Sequence, residues 1–464
     1  MGTTTRLSAA PGRTPTRRWP GDLAVLGVEI ALVLLAAAVG AVLNARGVGL
    51  YADAAPLYAT WRPHAGWGTP AAVLVAVAVI GVGVPWARVA RWAPLLGAAW
   101  LASAAWTLSL ALVDGWSAGF TERLTVQAEY LHEVPGIRDV PATLAGFAER
   151  ILDFRPDSWS THTAGHPPGA LLVFVGLDRI GLGGGTAAAL ACVLVGTSVT
   201  VAVPVALRAL GAESAARAVL PFLVLSPGAV WVGASADGLF AGVVAAGLAL
   251  LAVRGRLAPA AGGLMLGFAL YLSYGFVLVG LLALVVLALR PADRITALLA
   301  AVAGAAAVVV AFTAAGFWWW DGYQRVVDRY YQGWAADRPY GYWVWANLAA
   351  LVLSAGPALG PALRRAVLAG VAAIRPALRG PGARLVGPAV AAGPAVLLPL
   401  AAAAVVLAAD LSGLSKAEVE RIWLPFVVWL LVAAAHLPPA ARRWWLVGQA
   451  ATALAVNHLL WTVS

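Results

Sequence analysis

Acidic side chains stand where long apolar runs of this sequence meet polar stretches. Asp114 ends one apolar run and opens the polar stretch 114–165, which also contains Glu122 and Glu129, and Asp237 begins a later run. Ionisable groups at a membrane edge are unfavourable unless they are paired or face a wet cavity, so they are candidates for function. A carboxylate there can take the proton of an attacking hydroxyl group. Asp114, Glu122, Glu129 and Asp237 are therefore the candidate catalytic residues.

Two histidines and two prolines lie close together in residues 161–169, which read THTAGHPPG. Because proline fixes the backbone direction, we expect the imidazoles of His162 and His166 to lie at the surface, where they could contact a substrate. A zinc site needs three or four ligands with orienting partners, and these two histidines alone are too few. Whether the chemistry uses a divalent cation such as Mg²⁺ or Mn²⁺ stays open.

Residues 330–340 combine several aromatic residues with one arginine, and Tyr331, Arg338 and Tyr340 are the candidate substrate contacts. One interpretation is an aromatic belt at the membrane interface. The other is a platform on which sugar rings stack, with the Arg338 guanidinium contacting a phosphate through two hydrogen bonds. The sequence leaves both interpretations open.

Charged residues also lead directly into a later apolar run, in residues 415–423, which read SKAEVERIW. Lys416 and Arg421 could hold a lipid phosphate at headgroup level, and Glu420 belongs to the same candidate substrate-binding segment. The alternative is a set of anchors whose charged ends reach the membrane surface.

The composition shows which solvent surrounds these segments. The 464 residues are 61% apolar and only 11% charged, whereas soluble domains carry about 25% charged residues. Such a chain must use the bilayer as its solvent. The formal charge of +10 comes mainly from arginines in short loops, a pattern that sets membrane orientation and does not indicate nucleic-acid binding. The single cysteine, Cys192, excludes an internal disulfide and is expected to be a small buried side chain.

We therefore predict an all-α, polytopic helical membrane protein with about 13 transmembrane helices. It consists of a disordered cytoplasmic N-terminus, residues 1–22, and a single transmembrane domain, residues 23–464. The spans are expected near residues 23–44, 70–86, 93–113, 185–207, 219–234, 238–253, 258–273, 275–290, 295–313, 344–360, 387–408, 422–436 and 445–463, because a spanning helix needs about 20 apolar residues.

Arginine placement predicts the orientation. With the N-terminus in the cytoplasm, the arginine-rich short loops all fall on the cytoplasmic side. The extracytoplasmic loops then lie near residues 114–165, 235–237, 314–343 and 409–421, and they contain every candidate site residue. This arrangement requires the short apolar segment 166–182 to be a re-entrant or interfacial helix that does not cross the membrane.

The long loop itself is expected to contain two amphipathic helices on the membrane surface, because apolar residues recur there at helical spacing. The first would present Leu124, Ala128 and Leu131, and the second Leu144, Phe147 and Ile151.

The order of these features resembles the GT-C class of membrane glycosyltransferases, which includes protein mannosyltransferases and aminoarabinose transferases. An acid ends a span at Asp114, a long outer loop follows, and Pro167-Pro168 starts a short helix. A later span then reads from Ser226-Pro227 to Asp237. The resemblance covers roughly residues 93–290.

The resemblance implies a function. Such an enzyme transfers a sugar from a polyprenyl-phosphate-linked donor to a glycan, lipid or protein acceptor on the outer face of the bacterial plasma membrane. Asp114 would be the general base or orient the acceptor, and Asp237 would assist a metal or the acceptor. Gly115 follows Asp114 where the family commonly has paired acids, so Glu122 and Glu129 are alternative catalytic positions.

Two other functions remain open. A transporter or lipid flippase would be expected to show internal repeats, interrupted spans and ionisable groups near the bilayer midplane. In this sequence the spans are largely free of charge, with Glu29 the main exception, which favours chemistry at one face. The third possibility is a non-catalytic scaffold.

Overall fold

The computed structural model describes residues 19–233, 235–378 and 391–462. Most of the predicted disordered N-terminus lies outside these residues. Residues 19–22, the last part of the predicted tail, are not disordered, because they form the first turn of a helix. There Asp22 is buried and pairs with Arg364 and Arg365 at 3.2 and 2.6 Å, which fixes the start of the helix on another part of the fold.

The regular elements in the first half of the described chain are helices and one short strand. The elements are α1 (Trp19–Ala45), β1 (Ala59–Trp61), α2 (Gly68–Ala78), α3 (Val84–Val89), α4 (Trp92–Ala111), α5 (Val140–Ala145), α6 (Thr161–Gly165), α7 (Pro168–Arg179), α8 (Gly185–Thr197), α9 (Val199–Ala209), α10 (Glu213–Val224) and α11 (Ala229–Val232). A π-helical stretch, Val79–Gly83, joins α2 to α3.

The second half follows the same pattern. Its elements are α12 (Ala236–Ala252), α13 (Leu257–Ala269), α14 (Val279–Leu289), α15 (Arg294–Ala314), α16 (Trp319–Gln332), α17 (Tyr340–Ala355), α18 (Leu359–Leu378), α19 (Pro394–Leu411), α20 (Val419–Ile422), α21 (Leu424–Leu430), α22 (Arg442–Leu459) and β2 (Leu460–Thr462). The prediction of a helical membrane protein is thereby confirmed, with two three-residue strands as additions.

Six helices in the described residues are long and apolar enough to cross a membrane. They cover Pro20–Ala45, Gly68–Val89, Trp92–Ala111, Gly185–Ala209, Arg294–Ala314 and Pro394–Leu411, and the pair α17–α18, bent by 97°, would be a seventh. Four shorter apolar helices cover Ala236–Ala252, Leu257–Ala269, Tyr274–Leu289 and Leu424–His436. The fold is therefore that of a membrane-embedded helical protein, and the count of 13 spans stays a prediction. The predicted span 387–408 begins within residues that the structure does not describe.

Breaks inside apolar runs explain why several predicted spans are short helices. The run 219–234 is divided because Pro227 follows the end of α10 and starts a turn. The run 344–360 is divided at Gly356, whose φ of +87° ends α17 and turns the chain into α18. Hydropathy alone does not detect such breaks.

Close packing between α13 and α15 depends on glycine. A Cβ atom added at Gly263 would overlap the carbonyl of Ala301, and one at Gly304 would overlap the carbonyl of Ala260. Small residues let helix backbones approach closely where lipid provides no hydrophobic driving force between helices.

Polar contacts join distant loops at one end of the bundle, which we call the polar end. It comprises residues 45–67, 114–165, 235–237, 315–343, 412–421 and 458–462. Contacts that join them include Tyr51 Oη to Asp337 at 2.9 Å, the Tyr58 amide to Glu420 at 2.8 Å, and Arg421 to Asp237 at 2.7 Å. Arg421 also reaches His162 of the loop 114–165 at 3.3 Å, so all the loops predicted to be extracytoplasmic meet at the same end.

The opposite end of the bundle lies around Arg217 and Arg443, and we call it the arginine end. Its guanidinium groups bind backbone carbonyls near helix ends. Arg217 donates to the carbonyls of Ala87 and Ala90 at 3.0 and 2.9 Å, and Arg443 donates to that of Gly81 at 3.1 Å. Such cations near helix C-termini are favoured by the unpaired carbonyls and the helix dipole.

The short helix α7 begins and ends at the polar end. At its start, His166 Nδ1 lies 2.8 Å from the carbonyl of His162, and at its end Arg179 donates to the carbonyl of Arg138 at 3.1 Å. That the segment 166–182 is re-entrant or interfacial stays a prediction.

The strands β1 and β2 bring the end of α22 to the same place. They pair antiparallel with Ala59 opposite Thr462 and Trp61 opposite Leu460. The segment 45–67, which the sequence did not single out, therefore becomes part of the polar end.

The predicted surface helices of the long loop are only partly present. Residues 122–129 form turns and not the first helix, and Leu124 is buried. The second set lies on α5 and the short 3₁₀ turn that follows it, but Phe147 and Ile151 are fully buried and do not face a bilayer. The apolar residues of this loop pack against each other and against the rest of the fold. Burial in a protein core and contact with a membrane produce the same apolar spacing in the sequence.

Candidate functional site

The centre of the polar end is the guanidinium group of Arg421. It donates to Asp237 Oδ2 at 2.7 Å and to Glu418 Oε2 at 2.6 Å, and it approaches His162 Nε2 at 3.3 Å. The Arg421 and Asp237 side chains are each 8% exposed. A buried charge is tolerated only when it is paired and hydrogen-bonded, and this one has two carboxylate partners.

His162 links this centre to a third acid. Its Nδ1 lies 2.7 Å from Glu129 Oε1. Arg421 has only donors, so in the 3.3 Å contact His162 Nε2 is placed to accept and His162 Nδ1 to donate to Glu129. We call the connected set Glu129, His162, Arg421, Asp237 and Glu418 the acid–arginine network.

Local geometry aims these side chains at one another. Asp237 lies in the first turn of α12, where Ser235 caps the helix by accepting the Asp237 amide at 3.2 Å, and an acid is favoured there by the helix dipole. Ala417 and Glu418 have φ values of +71° and +63°. Two consecutive left-handed residues are rare outside glycine and occur where surrounding contacts enforce them. The turn places Glu418 and Arg421 side by side.

Burial and ion pairing together determine the pKa values of Glu418 and Arg421. Burial opposes the charge of Glu418, but the guanidinium groups of Arg421 and Arg338 outweigh it and lower the pKa of Glu418 to about 2. Burial also opposes the charge of Arg421, and the carboxylates of Asp237 and Glu418 reverse that effect, so the pKa of Arg421 is raised. Both groups are therefore ionised at neutral pH.

A second cluster, the Asp114 cluster, lies beside this network. His64 Nε2 is 2.6 Å from Asp114 Oδ1, and Arg123 donates to Asp114 Oδ2 at 3.0 Å. Arg123 also donates to the carbonyl of Thr462 at 2.7 Å, so β2 helps to position it. Burial lowers the pKa of Arg123, while the charges of Asp114 and Glu129 oppose that effect, which places Glu129 within electrostatic range of both clusters.

Sequence analysis missed His64 and Arg123. His64 lies 50 positions before Asp114, in a segment without a regular helix, and its amide donates to the carbonyl of His458 next to the β1–β2 pair. Arg123 could have been identified from the sequence, because it is a basic residue in the same polar loop that begins with Asp114.

Arg338 does not have the expected free guanidinium group. It is 5% exposed and donates to the carbonyls of Leu50 at 3.1 Å and Lys416 at 2.8 Å, and it pairs with Glu418 at 3.3 Å. Lys416 Nζ in turn donates to the carbonyls of Ala335 and Arg338. Both cations therefore bind loops together in this structure, and their role as phosphate contacts stays a prediction.

Glu420 points away from the network and is 1% exposed. Its Oε1 accepts the Tyr58 amide at 2.8 Å, and its Oε2 has no hydrogen-bond partner among the described residues. Burial raises the pKa of Glu420 to about 7, although the Tyr58 hydrogen bond opposes the shift. This side chain can take up or release a proton near neutral pH.

The other candidates lie outside the two clusters. Glu122 is exposed, and no side-chain contact joins it to them. Tyr331 and Tyr340 are 48% and 42% exposed and face outward, as in an aromatic belt. His166 is only partly exposed, because it packs between Tyr130 and Phe240. Burial lowers the pKa of His166, so its ring is neutral.

Within the described residues, no group of three or more His, Cys, Asp or Glu side chains could hold a metal ion. Comparison of the sequence with models of known families and with curated proteins finds no match.

Proposed function

We propose that the protein is an integral membrane glycosyltransferase of the bacterial plasma membrane. It would transfer a sugar from a polyprenyl-phosphate-linked donor to a glycan, lipid or protein acceptor on the extracytoplasmic side. The observation that carries this proposal is the convergence of Asp114, Glu129 and Asp237 with Arg123 and Arg421 at one end of an apolar helical bundle. Carboxylates and guanidinium groups in one site are what transfer from a phosphate-linked sugar requires.

In the proposed reaction Asp114 takes the proton of the acceptor hydroxyl group. The acceptor oxygen forms a bond to the anomeric carbon of the sugar, and the bond from that carbon to the phosphate oxygen breaks. The phosphate leaves with the electron pair, and Arg123 and Arg421 offset its added negative charge. His64, at 2.6 Å, positions the Asp114 carboxylate.

The proposal includes a topology. The N-terminus would be cytoplasmic, the polar end extracytoplasmic, and the short apolar helices would complete about 13 spans. The contacts that join the alternate loops at the polar end support this topology. If those loops share one end, each span between them runs from one end of the bundle to the other.

The test is the conservative change Asp114→Asn. Membranes that contain the variant would be incubated with radiolabelled polyprenyl-phosphate-linked hexose or pentose, and labelled envelope product would be measured. We expect product formation to fall at least a hundredfold, since general base catalysis contributes about 10²–10⁴-fold. The matched control is Glu149→Gln, an exposed acid of the same loop, which should retain activity. Full activity of Asp114→Asn would remove Asp114 from the mechanism.

One observation favours the alternative, a transporter or lipid flippase. The helix pair α17–α18 is bent by 97°, and the buried Glu29 of α1 accepts the Gly360 amide at 2.6 Å beside the break. Interrupted helices with an acid near the membrane interior are a feature of transporters. Substrate movement in reconstituted vesicles, lost in Glu29→Gln and without sugar-transfer product, would favour this function.

A further inference from the structure

A cavity of about 180 Å³ opens at the arginine end, away from both clusters. It lies where α3, α10 and the start of α22 meet. Its polar lining is Arg88, Ser214, Arg217 and Arg442, and its apolar lining is Val84, Ala218 and Pro221. Three guanidinium groups around one cavity call for a negative partner.

The acids of the fold supply that partner to Arg217 alone among the three. Glu213, the acid at the start of α10, is held by Arg208 at 3.1 Å and by Arg217 at 2.9 Å. Among the described residues, no carboxylate pairs with Arg88 or Arg442. Residues 1–18 and 379–390 contain no Asp or Glu in the sequence, so they cannot neutralise the cavity either.

Arg88 and Arg442 line the same cavity and lie close enough for their charges to repel. Burial lowers the pKa of Arg442, and the nearby charge of Arg88 lowers it further. Arg442 uses its Nε and one terminal nitrogen to bind the carbonyls of Leu437 and Ala435 at 3.2 and 2.9 Å. Its other terminal nitrogen and the exposed Arg88 guanidinium are available to a ligand.

The geometry around the cavity suits a phosphate group. Ser214 lies in the first turn of the 12-residue helix α10, where unpaired backbone amides and the helix dipole favour an anion. Arg217 closes one side and is itself fixed by the carbonyls of Ala87 and Ala90. Guanidinium groups match the oxygens of phosphate with two parallel hydrogen bonds.

The position of the cavity is that of a lipid headgroup. Arg88 lies in the last turn of Gly68–Val89, a helix long and apolar enough to cross a membrane. Trp86 and Trp444 are 38% and 73% exposed near the cavity, and tryptophan is enriched at membrane interfaces. A phosphate at this depth can come from a lipid headgroup or from solution.

We propose that Arg88, Arg442 and Ser214 form a binding site for the phosphate group of an anionic ligand at the arginine end, with Arg217 fixing its wall. The site is independent of the proposed sugar transfer at the polar end, because none of its residues belongs to either cluster.

The experiment uses the full-length protein purified in a neutral detergent. Its thermal midpoint is followed by tryptophan fluorescence during titration with phosphatidylglycerol, phosphatidylcholine or inorganic phosphate. A ligand that binds the folded state raises the midpoint. We expect phosphatidylglycerol to raise it and phosphatidylcholine, which has no net charge, to have little effect. A rise with inorganic phosphate alone would identify the dissolved anion as the source.

The test variant is the double substitution Arg88→Gln/Arg442→Gln. The single substitution Arg88→Gln is measured beside it, because Arg88 is exposed and its replacement leaves the fold intact. We expect the phosphatidylglycerol concentration at half effect to increase at least about tenfold, equivalent to about 1.4 kcal/mol. The matched control, Arg254→Gln/Arg256→Gln, removes the same charge from an exposed turn at the same end and should respond as the wild type does. Equal responses of the two double variants, or no response of the wild type to either anion, would overturn the proposal.

Discussion

Arg421 is the side chain on which the polar end depends most. It lies between the buried carboxylate of Asp237, the partly exposed carboxylate of Glu418 and the ring of His162. Removing one partner of a buried ion pair destabilises a protein by about 3–5 kcal/mol, because the remaining charge is left uncompensated. We therefore expect Arg421→Gln to lower the thermal midpoint strongly, measured by tryptophan fluorescence in detergent.

A suitable comparison is Arg325→Gln. Arg325 pairs with Asp321 one helical turn away at 3.1 Å, and the two side chains are 31% and 43% exposed. Exposed pairs contribute at most about 1 kcal/mol. Equal midpoints for the two variants would show that Arg421 is not a buried structural centre.

Glu420 gives the protein a pH dependence. Its pKa is raised to about 7 by burial in the fold, whereas an unfolded glutamate titrates near 4.3. The folded state therefore holds a proton that the unfolded state releases, so stability falls as pH rises from about 4.5 to 7 and is level above that range. We expect Glu420→Gln to abolish this fall, measured as thermal midpoint against pH.

Glu418 does not obscure that measurement. Its pKa is lowered to about 2, so its contribution is complete above about pH 4.5 and is lost only as pH falls towards 2. The two glutamates, two positions apart, act with opposite sign in separate pH windows. A pH profile of Glu420→Gln that matches the wild type between pH 4.5 and 7 would contradict the assignment of that fall to Glu420.

The contact of α13 with α15 makes a prediction about packing. Gly263→Ala would place a methyl group against the carbonyl of Ala301, and overpacking of this kind destabilises by about 1–3 kcal/mol. Gly280→Ala in α14 is the matched control, because no atom lies within 4 Å of the added carbon. We expect the thermal midpoint to fall only for Gly263→Ala, and an equal effect of both would show that the helices do not touch there.

Charge is divided along the whole bundle. Most acids lie at the polar end, whereas at the arginine end Arg88 and Arg442 pair with no carboxylate of the described residues. The division predicts which residues share a side of the membrane. In a Cys192→Ala background, a membrane-impermeant thiol reagent on intact cells should label Asp157→Cys and Ser412→Cys, and should not label Arg256→Cys. All three positions are exposed, so accessibility depends on the side alone.

Opposite labelling of Asp157→Cys and Ser412→Cys would mean that an odd number of crossings separates them. The segment 166–182 would then cross the membrane, and the shared polar end would not lie on one side. Labelling of Arg256→Cys alone would reverse the proposed orientation while leaving the fold unchanged.

The sequence by itself determined the solvent, the helical class and the segregation of polar loops. These properties depend on local composition: runs of apolar residues must be buried in lipid, and helices satisfy their own backbone hydrogen bonds. Asp237 and Arg421 were also found this way, because each stands at the edge of an apolar run.

Only the tertiary structure decided which of these residues meet. Arg421 contacts His162 across 259 positions, and His64 reaches Asp114 from a segment that carries no helical pattern. It also showed that Arg338 binds backbone carbonyls and that Glu122 stays apart from both clusters. Pairings of this kind depend on how helices pack and where they break, which the periodicity and hydropathy of a single segment do not encode.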